Sequence, residues 1–312
     1  MSEIIKLIKK KKWGNSLTRT GFLQPKAIAA EAIMLPIELA KGVIAKMDGY
    51  IWVNDFVTYS QNSLNSFPAL FKKAFEVNRE WPLFIVKSLD KLAKRENLLV
   101  KKMKFKVKNI SQASNLFRTY VNLLHEIMKY YVIAVPLTDY CEKELIKIKF
   151  NYSDFAVAYK KLDIDLYNKS LKQIARRSGE IKESIIKKHL TDFAWIKTAY
   201  NIIDPYTKSD LSEALKSSQV ESARKSLPTD CYPVLVGLQC GIFMRNRMKE
   251  LCQKLWYAFD PIAIYLANQL SLSREEFLTL TPDEVFKSIG ARKISSGQIK
   301  ERQKSFAVGF II

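Results

Sequence analysis

The stretch LSLSREEFLTLTPDEVFKSIG, residues 270–290, contains two consecutive helix starts. Ser273 is followed three residues later by Glu276, which is the spacing of a capping box. Leu272 and Phe277 occupy the positions of a hydrophobic staple, which fixes the angle at which the chain enters the helix. This pattern predicts that a long helix ends before Ser273 and that a new helix begins there.

The same pattern recurs eight residues later in the chain. Thr281 is the predicted cap, Pro282 takes the first helical position, and Glu284 completes the box. Gly290 is predicted to end this second helix. Three helices therefore meet at fixed angles, and we interpret the stretch as a structural corner and not as a binding site.

Apolar residues recur at helical spacing along most of the chain, which predicts a mainly α fold: a multi-helix array with at most minor β elements. We expect one helical module over residues 1–312, with a division into two lobes, 1–180 and 181–312, as the alternative. The predicted helices cover residues 25–46, 64–75, 82–99, 111–132, 152–175, 181–192, 234–259 and 295–304. Residues 49–56 favour a strand or a buried turn, residues 306–312 favour a strand, and Asp260-Pro261 is predicted to break the longest helix.

Composition limits the function without deciding it. The chain has 312 residues, 48% of them hydrophobic, so it can bury a core and is not globally disordered. Its net charge of +20 is compatible with nucleic acid, with another acidic partner or membrane surface, or with a lysine-rich proteome. No stretch reaches the roughly 18 apolar residues of a spanning helix. We expect a cytoplasmic protein without membrane contact, in which the four cysteines are reduced core residues. They are Cys141, Cys231, Cys240 and Cys252.

Two short segments alternate lysine with apolar residues. In VKKMKFKVK, residues 100–108, the alternating lysines form a candidate basic patch: Lys102, Lys104, Lys106 and Lys108. LIKIKF, residues 145–150, alternates in the same way, so both segments are predicted to be strands. The lysines could protect an exposed sheet edge or follow a phosphate backbone. The lack of aromatic residues on the lysine face weighs against the second interpretation.

Aromatic residues cluster before Pro205, in a connection with an irregular pattern. This connection carries Trp195 and Tyr200, and His189 lies just before it. Together with the long helix at 234–259 it could wall a pocket for an apolar ligand. Trp195 is the first candidate for such a substrate-binding wall, Tyr200 the second, and His189 the polar contact. The alternative is a hydrophobic plug between helices.

The motifs of common catalytic sites are missing from the sequence. There is no glycine-rich phosphate loop, no paired histidine motif, no nucleophile elbow and no CxxC. No pair of carboxylates stands out by its spacing. We therefore assign no catalytic residue, no metal ligand and no cofactor.

Four segments, in order, resemble the helical region of phosphoenolpyruvate-synthase-like phosphotransferases. They are KWGNSLTRTGFLQP (12–25), HLTDFAWIKTAYNIIDPYTKSDL (189–211), ANQLSLSREEFLTLTPDEVFKSI (267–289) and IKERQKSFAVGFII (299–312). The family pattern usually has a glycine before the tryptophan of the second segment, where this chain has Ala194. In relatives that phosphorylate antibiotics, this region forms the substrate-binding part.

The resemblance implies a function that depends on other domains. Family members carry an ATP-grasp domain and a swivelling phosphohistidine domain, and no segment here resembles either. We expect a non-catalytic module that binds substrate for, or connects, ATP-grasp and phosphohistidine domains supplied elsewhere. Alone, it should neither hydrolyse ATP nor phosphorylate a substrate. The alternatives are a basic helical protein that binds nucleic acid or an acidic protein partner, and a degenerate relative with a scaffolding role.

Overall fold

The computed structural model describes residues 17–18, 21–53, 56–105, 107–175, 183–216, 232–291, 296–304 and 306–311. The predicted mainly α fold is confirmed, because helices account for most of these residues. In chain order the α-helices are α1 (Leu23–Ile33), α2 (Gln61–Val77), α3 (Trp81–Met103), α4 (Ile110–Met128), α5 (Tyr131–Lys147), α6 (Asp163–Ala175), α7 (Glu183–Asp192), α8 (Lys208–Lys216), α9 (Tyr232–Gln269), α10 (Arg274–Phe277), α11 (Pro282–Ala291) and α12 (Ser296–Lys304).

The strands form two small antiparallel sheets. They are β1 (Leu17–Thr18), β2 (Ile37–Ala40), β3 (Val43–Ala45), β4 (Gly49–Val53), β5 (Phe56–Tyr59) and β6 (Ala307–Ile311). One sheet has the order β1-β5-β4-β6, and the other is the β2-β3 hairpin. Tyr50 of β4 pairs with Tyr59 on one side and with Phe310 on the other. The first and last strands of the described chain therefore belong to one sheet, which packs against α1.

Helix α9 is the centre of the main core and packs most extensively against α5, α3 and α4. It continues through Pro261, so the predicted break after residue 259 is wrong. Pro261 is exposed, whereas its neighbours Phe259 and Ile262 are completely buried. A proline removes one helical hydrogen bond. Here the burial of the apolar residues on both sides holds the helix together, and the disrupted turn faces solvent.

Two glycines let α9 approach α5 closely. A Cβ atom on Gly237 would lie 2.8 Å from the Cys141 sulfur, and one on Gly241 would lie 2.5 Å from the Thr138 hydroxyl oxygen. The same Cβ on Gly241 would also lie 3.2 Å from the carbonyl oxygen of Ala134. Since both glycines face α5 one helical turn apart, any larger residue would push the two helices apart.

The predicted helix over residues 25–46 is wrong in its second half. Helix α1 ends at Ile33, and the β2-β3 hairpin follows. Pro36 cannot continue the hydrogen-bonded helix. Gly42 has a φ of +74° in the hairpin turn, a conformation that glycine adopts without steric cost. The apolar residues in 37–45 fit an alternating strand pattern as well as a helical one. The turn residues decide between the two patterns.

Both lysine-alternating segments were predicted to be strands, and this prediction is wrong. Residues 100–103 are the last turn of α3, and residues 145–147 end α5. The apolar residues on the buried faces, Leu99 and Met103 in α3 and Leu145 in α5, keep helical spacing with the residues before them. Core packing at a period of 3.6 therefore prevails over a local period of two.

Two smaller expectations also differ from the structure. Residues 152–175 are not one helix, because a 3-10 turn at Ser153–Phe155 and an irregular segment precede α6. The side chain of Asn151 accepts a hydrogen bond from the Ser153 N–H at 3.2 Å, which favours a turn at this point. Gly290 lies inside α11 and does not end it.

The predicted corner is confirmed at both helix starts. Glu276 N–H donates to the Ser273 hydroxyl at 3.1 Å, and Ser273 N–H donates to the Glu276 carboxylate at 2.8 Å. Thr281 and Glu284 repeat the arrangement, with Pro282 as the first residue of α11. Arg302 of α12 then binds both carboxylate oxygens of Glu284, at 2.6 and 2.8 Å. The second cap therefore also anchors the following helix.

A second, smaller hydrophobic cluster joins α6, α7 and α8. Its buried members are Leu171, Ile174, Tyr206 and Leu211. Thr207 and Asp210 form a further capping box at the start of α8, in which the Thr207 N–H donates to the Asp210 carboxylate at 2.7 Å. The division into lobes at residue 180 stays a prediction.

Two predictions from composition concern the described part of the chain. Cys141, Cys240 and Cys252 are free and buried, as predicted, while Cys231 lies outside the described residues. No described helix is both long enough and apolar enough to cross a membrane.

The second cap gives a first testable prediction. Thr281→Ala should lower the free energy of unfolding by about 0.5–2 kcal/mol, because the Glu284 N–H loses its partner at the helix start. Thr281→Ser keeps the hydroxyl and should stay close to the parent chain. Urea denaturation of the three proteins measures the difference, and equal losses in both variants would show that the hydroxyl is not the stabilising group.

The close approach of α9 and α5 gives a second testable prediction. Gly241→Ala should destabilise the chain by about 1–3 kcal/mol, since the new methyl group overlaps the Thr138 hydroxyl. Adding Thr138→Ala removes the hydroxyl and should recover part of that loss in a double-mutant cycle. Purely additive losses would contradict a direct clash between these two positions.

Candidate functional site

His189 lies in the last turn of α7 and is buried in the smaller cluster. Its Nδ1 atom is 2.8 Å from the Ser170 hydroxyl of α6. Its ring packs against Tyr167, Phe193 and Tyr206, with ring centroids 5.0–5.8 Å apart. Burial lowers the pKa of His189, with a small opposing effect from Asp192. These contacts place a largely neutral imidazole in an aromatic setting.

Trp195 is buried in the connection between α7 and α8. Its indole N–H donates to the carbonyl oxygen of Asp192 at 3.0 Å. The ammonium group of Lys254, from α9, lies 5.1 Å from the centroid of the Trp195 ring system, a cation–π distance. This side of the predicted wall therefore faces a charged residue of the long helix.

Tyr200 occupies a tight two-residue turn. Ala199 and Ile202 exchange backbone hydrogen bonds of 3.1 and 2.8 Å, while Tyr200 and Asn201 have φ values of 45° and 62°. Two successive positive φ values are the mark of a type I′ turn. The turn inserts the Tyr200 ring between Trp52 and Trp256, with centroids 5.2 and 4.7 Å away.

The three predicted substrate-binding residues thus have different neighbours. His189 contacts the rings of the smaller cluster, Trp195 contacts Lys254, and Tyr200 contacts two tryptophans of the main body. Among the described residues, no ring contact joins the three side chains. Their role as a ligand wall stays a prediction.

Lys254 also belongs to a cluster of charged residues that the sequence did not reveal. It forms an ion pair with Asp163 at the start of α6. Arg247, two turns earlier on α9, lies 2.8 Å from Asp163 and 3.1 Å from Glu250. Glu250 in turn accepts a hydrogen bond from the Ile164 N–H at 2.8 Å. These contacts fix the start of α6 on the middle of α9.

Glu96 of α3 is the most unusual member of this charge cluster. Its side chain is completely buried, and neither carboxylate oxygen accepts a hydrogen bond from a described residue. Burial raises the pKa of Glu96 from 4.5 to about 7, and the positive charges of Lys254 and Arg247 offset only part of the effect. A carboxyl group with such a pKa can hold or release a proton near neutral pH.

Burial is the main reason why Glu96 favours the neutral form, and the charges around it are compatible with that form. Asp163, Glu250 and Glu96 could supply three negative charges, against the two positive charges of Arg247 and Lys254. Burial acts to raise the pKa of Asp163, but hydrogen bonds and charges from Lys254 and Arg247 outweigh it and lower that pKa. Burial raises the pKa of Glu250. With Glu96 protonated, the remaining charges balance.

The sequence contains a pattern that could have identified Glu96 as an unusual buried residue. It sits at helical spacing with Leu89, Leu92, Ala93 and Leu99, all of them buried. An acidic residue on the apolar face of a helix is a rare position that indicates either a partner charge or a shifted pKa. No described group of three or more His, Cys, Asp or Glu side chains could hold a metal ion.

A groove lies elsewhere on the protein, between α2 and α5. Its volume is about 1050 Å³, and its wall includes Tyr59, Leu64, Pro68, Tyr131, Pro136 and Tyr140. Asp139, Lys143, Glu144 and Lys147 also line it. Burial raises the pKa of Tyr140 to about 12, with a further increase from Glu144, so its hydroxyl group stays protonated. The groove combines aromatic rings with groups that can donate and accept hydrogen bonds.

The predicted basic patch has a different form from the one expected. Lys102 lies in the last turn of α3, Lys104 and Lys108 follow the helix, and all three are exposed. Lys106 lies outside the described residues. The patch is therefore the end of a helix and the segment after it, and not the wet face of a strand.

Comparison of the chain with protein-family models, with curated proteins and with solved structures finds no match. The similarity to the phosphoenolpyruvate-synthase-like helical region thus depends on the four sequence segments.

The charge cluster gives a prediction about pH. The unfolded chain releases the Glu96 proton near pH 4.5, whereas the folded protein holds it up to about pH 7. The folded state therefore binds more protons in this window, and the free energy of unfolding falls as pH rises through it. The full loss, up to about 3 kcal/mol, is present above pH 7. Glu96→Gln should remove this fall and stabilise the protein at pH 8 relative to the parent.

Urea denaturation between pH 4.5 and 8 measures the effect. Glu76→Gln is the matched control, because Glu76 is exposed on α2. It should keep the pH dependence of the parent chain. An unchanged slope in Glu96→Gln would show that Glu96 is not the titrating group.

Proposed function

We propose that the chain is a non-catalytic helical module that binds a small molecule in the groove between α2 and α5. The groove itself is the observation that carries the proposal. Its volume of about 1050 Å³ is that of a site for a sizeable organic ligand, at the upper end of the usual range. The predicted wall of Trp195, Tyr200 and His189 is a second location for the same role.

The lining of the groove indicates the class of ligand. Tyr59, Tyr131 and Tyr140 offer rings for stacking, and Leu64 and Val135 offer aliphatic surface. The phenol of Tyr140 and the carboxylate of Asp139 can fix polar groups of the ligand. This combination suits an amphipathic aromatic molecule with hydroxyl or amino substituents.

The connecting role follows from the family resemblance and is supported by the sheet. Strands β1 and β6 belong to the same four-stranded sheet. Domains joined before β1 and after β6 would both attach at this sheet, which suits a module placed between an ATP-grasp and a phosphohistidine domain. Those domains would supply nucleotide, metal and phosphoryl carrier. We place the protein in the cytoplasm, where free thiols such as those of Cys141 and Cys240 persist.

Ligand binding can be tested with a pair of matched variants. Ile146 and Ile148 are 60% and 61% exposed, but only Ile146 lines the groove. A panel of substituted aromatic compounds is first screened against the parent chain by ligand-observed NMR. For a compound that binds, Ile146→Glu should weaken the affinity by about tenfold, which corresponds to about 1.4 kcal/mol. Ile148→Glu should leave it nearly unchanged.

Two results would contradict the groove as the site. One is an equal effect of both variants on a bound compound, and the other is the absence of any binding across the panel. If a compound binds but only Trp195→Ala weakens it, the site lies at the connection between α7 and α8.

The dependence on other domains needs a separate measurement. Phosphate release from ATP is followed for the chain alone and after addition of ATP-grasp and phosphohistidine domain proteins. The chain alone should show none. Activity of the isolated chain that is lost when a carboxylate or histidine within it is changed would show that it is an enzyme.

A further inference from the structure

Helix α3 has a continuous basic face on the protein surface. Its exposed lysines are Lys87, Lys91, Lys94, Lys101 and Lys102. The first four are separated by four, three and seven residues, and Lys102 directly follows Lys101. These spacings place all five on one side of the helix. At about 1.5 Å per residue, the row from Lys87 to Lys102 is about 22 Å long.

Three large apolar side chains accompany these lysines, one within their row and one at each end. Phe84, Leu98 and Phe105 are 54%, 61% and 71% exposed. They are spaced by 14 and 7 residues, so Phe84 and Leu98 share the face of the lysines, and Phe105 continues its line just beyond the helix end. The ammonium group of Lys87 lies 5.5 Å from the centroid of the Phe84 ring. Aromatic and basic groups are therefore mixed on one surface, which we call the α3 face.

The positive charge of the α3 face is not neutralised within the described part of the chain. None of its five lysines forms a salt bridge there. The acidic residues at its borders have other partners: Asp90 binds Lys160, and Glu126 binds Arg95 at 2.5 Å. The α3 face therefore has a net positive charge available to an external anion.

We propose that the α3 face binds single-stranded nucleic acid. The lysines would contact successive phosphates and release their counterions. Phe84 and Phe105 would provide planar surfaces on which bases stack, a contact that tolerates any base. The inference is independent of the groove between α2 and α5 and of the proposed phosphotransfer partners.

The mixture of groups distinguishes nucleic acid from the other polyanions. A helix that lies on an anionic membrane carries its apolar residues on one face and its lysines on the opposite face. On the α3 face they share one side, with Leu98 within the lysine row and Phe84 and Phe105 at its two ends. An acidic protein would satisfy the lysines but has no need for the two exposed rings at the ends of their row.

The test is fluorescence anisotropy with labelled 20-nucleotide oligo-dT and oligo-U. The parent chain should bind both, and log K should fall with log salt between 50 and 200 mM NaCl. For four phosphate contacts the expected slope is about −3. The variant Lys87→Glu, Lys91→Glu, Lys94→Glu, Lys101→Glu should lose at least about tenfold in affinity and most of this slope.

A charge-matched control separates the α3 face from overall charge. Changing the exposed Lys72, Lys73, Lys249 and Lys287 to glutamate also lowers the net charge from +20 to +12. This control should bind nearly as well as the parent. Phe84→Ala, Phe105→Ala should weaken binding by at least about tenfold through lost stacking, with an unchanged salt slope. All positions are exposed, and circular dichroism verifies that each variant is folded.

Three outcomes would overturn the proposal. Equal losses in the two lysine variants would assign binding to overall charge. Binding to phosphatidylserine vesicles but not to oligonucleotides would make the α3 face a membrane surface. No oligonucleotide binding by the parent chain at 50 mM NaCl would exclude the proposed partner.

Discussion

The structure depends on the burial of one long helix. Helix α9 runs for 38 residues and packs against α3, α4 and α5. Its contact with α5 requires Gly237 and Gly241, because a methyl group at either position would overlap an atom of α5. Close approach increases the number of van der Waals contacts on both helices, and interiors tolerate few gaps. The glycines, which weaken an isolated helix, therefore strengthen the assembled one.

A helix buried over so much of its surface must pair the polar groups that it carries inward. Arg247, Glu250 and Lys254 all find partners at the start of α6, and Gln253 donates to the carbonyl oxygen of Ile196 at 2.8 Å. The smaller cluster is therefore attached to the main core through polar contacts. Glu96 faces the same region from α3 without a hydrogen bond from any described residue, so a neutral carboxyl is the form that this environment accepts.

Features that depend on residues close together in sequence were predicted correctly, whereas features that depend on distant contacts were not. The caps at Ser273 and Thr281 were predicted correctly, because a capping box involves residues only three positions apart. The segments 37–45 and 100–108 were assigned wrongly. Their patterns allow two periods, and the choice depends on a turn in one case and on core contacts in the other.

The two surfaces proposed to bind ligands were harder to predict than the helices. The groove is formed by residues from β5, α2 and α5, which are far apart in sequence. Two prolines inside helices, Pro68 and Pro136, were the available clue, since each removes a backbone hydrogen bond at the groove wall. The basic face of α3 was predicted only at its end, at Lys102, because the strand prediction for residues 100–108 left out the lysines about two to four turns earlier.

The sheet also has a consequence for how the chain is made. Strand β4 pairs with β6, about 250 residues later in the sequence. At typical rates of synthesis, β4 waits roughly 10–50 s before β6 leaves the ribosome. During that time the edge of Gly49–Val53 has backbone groups open to any other extended segment. The nascent chain is therefore exposed to aggregation at this edge after β5 has formed, and the pairing of β6 ends this period.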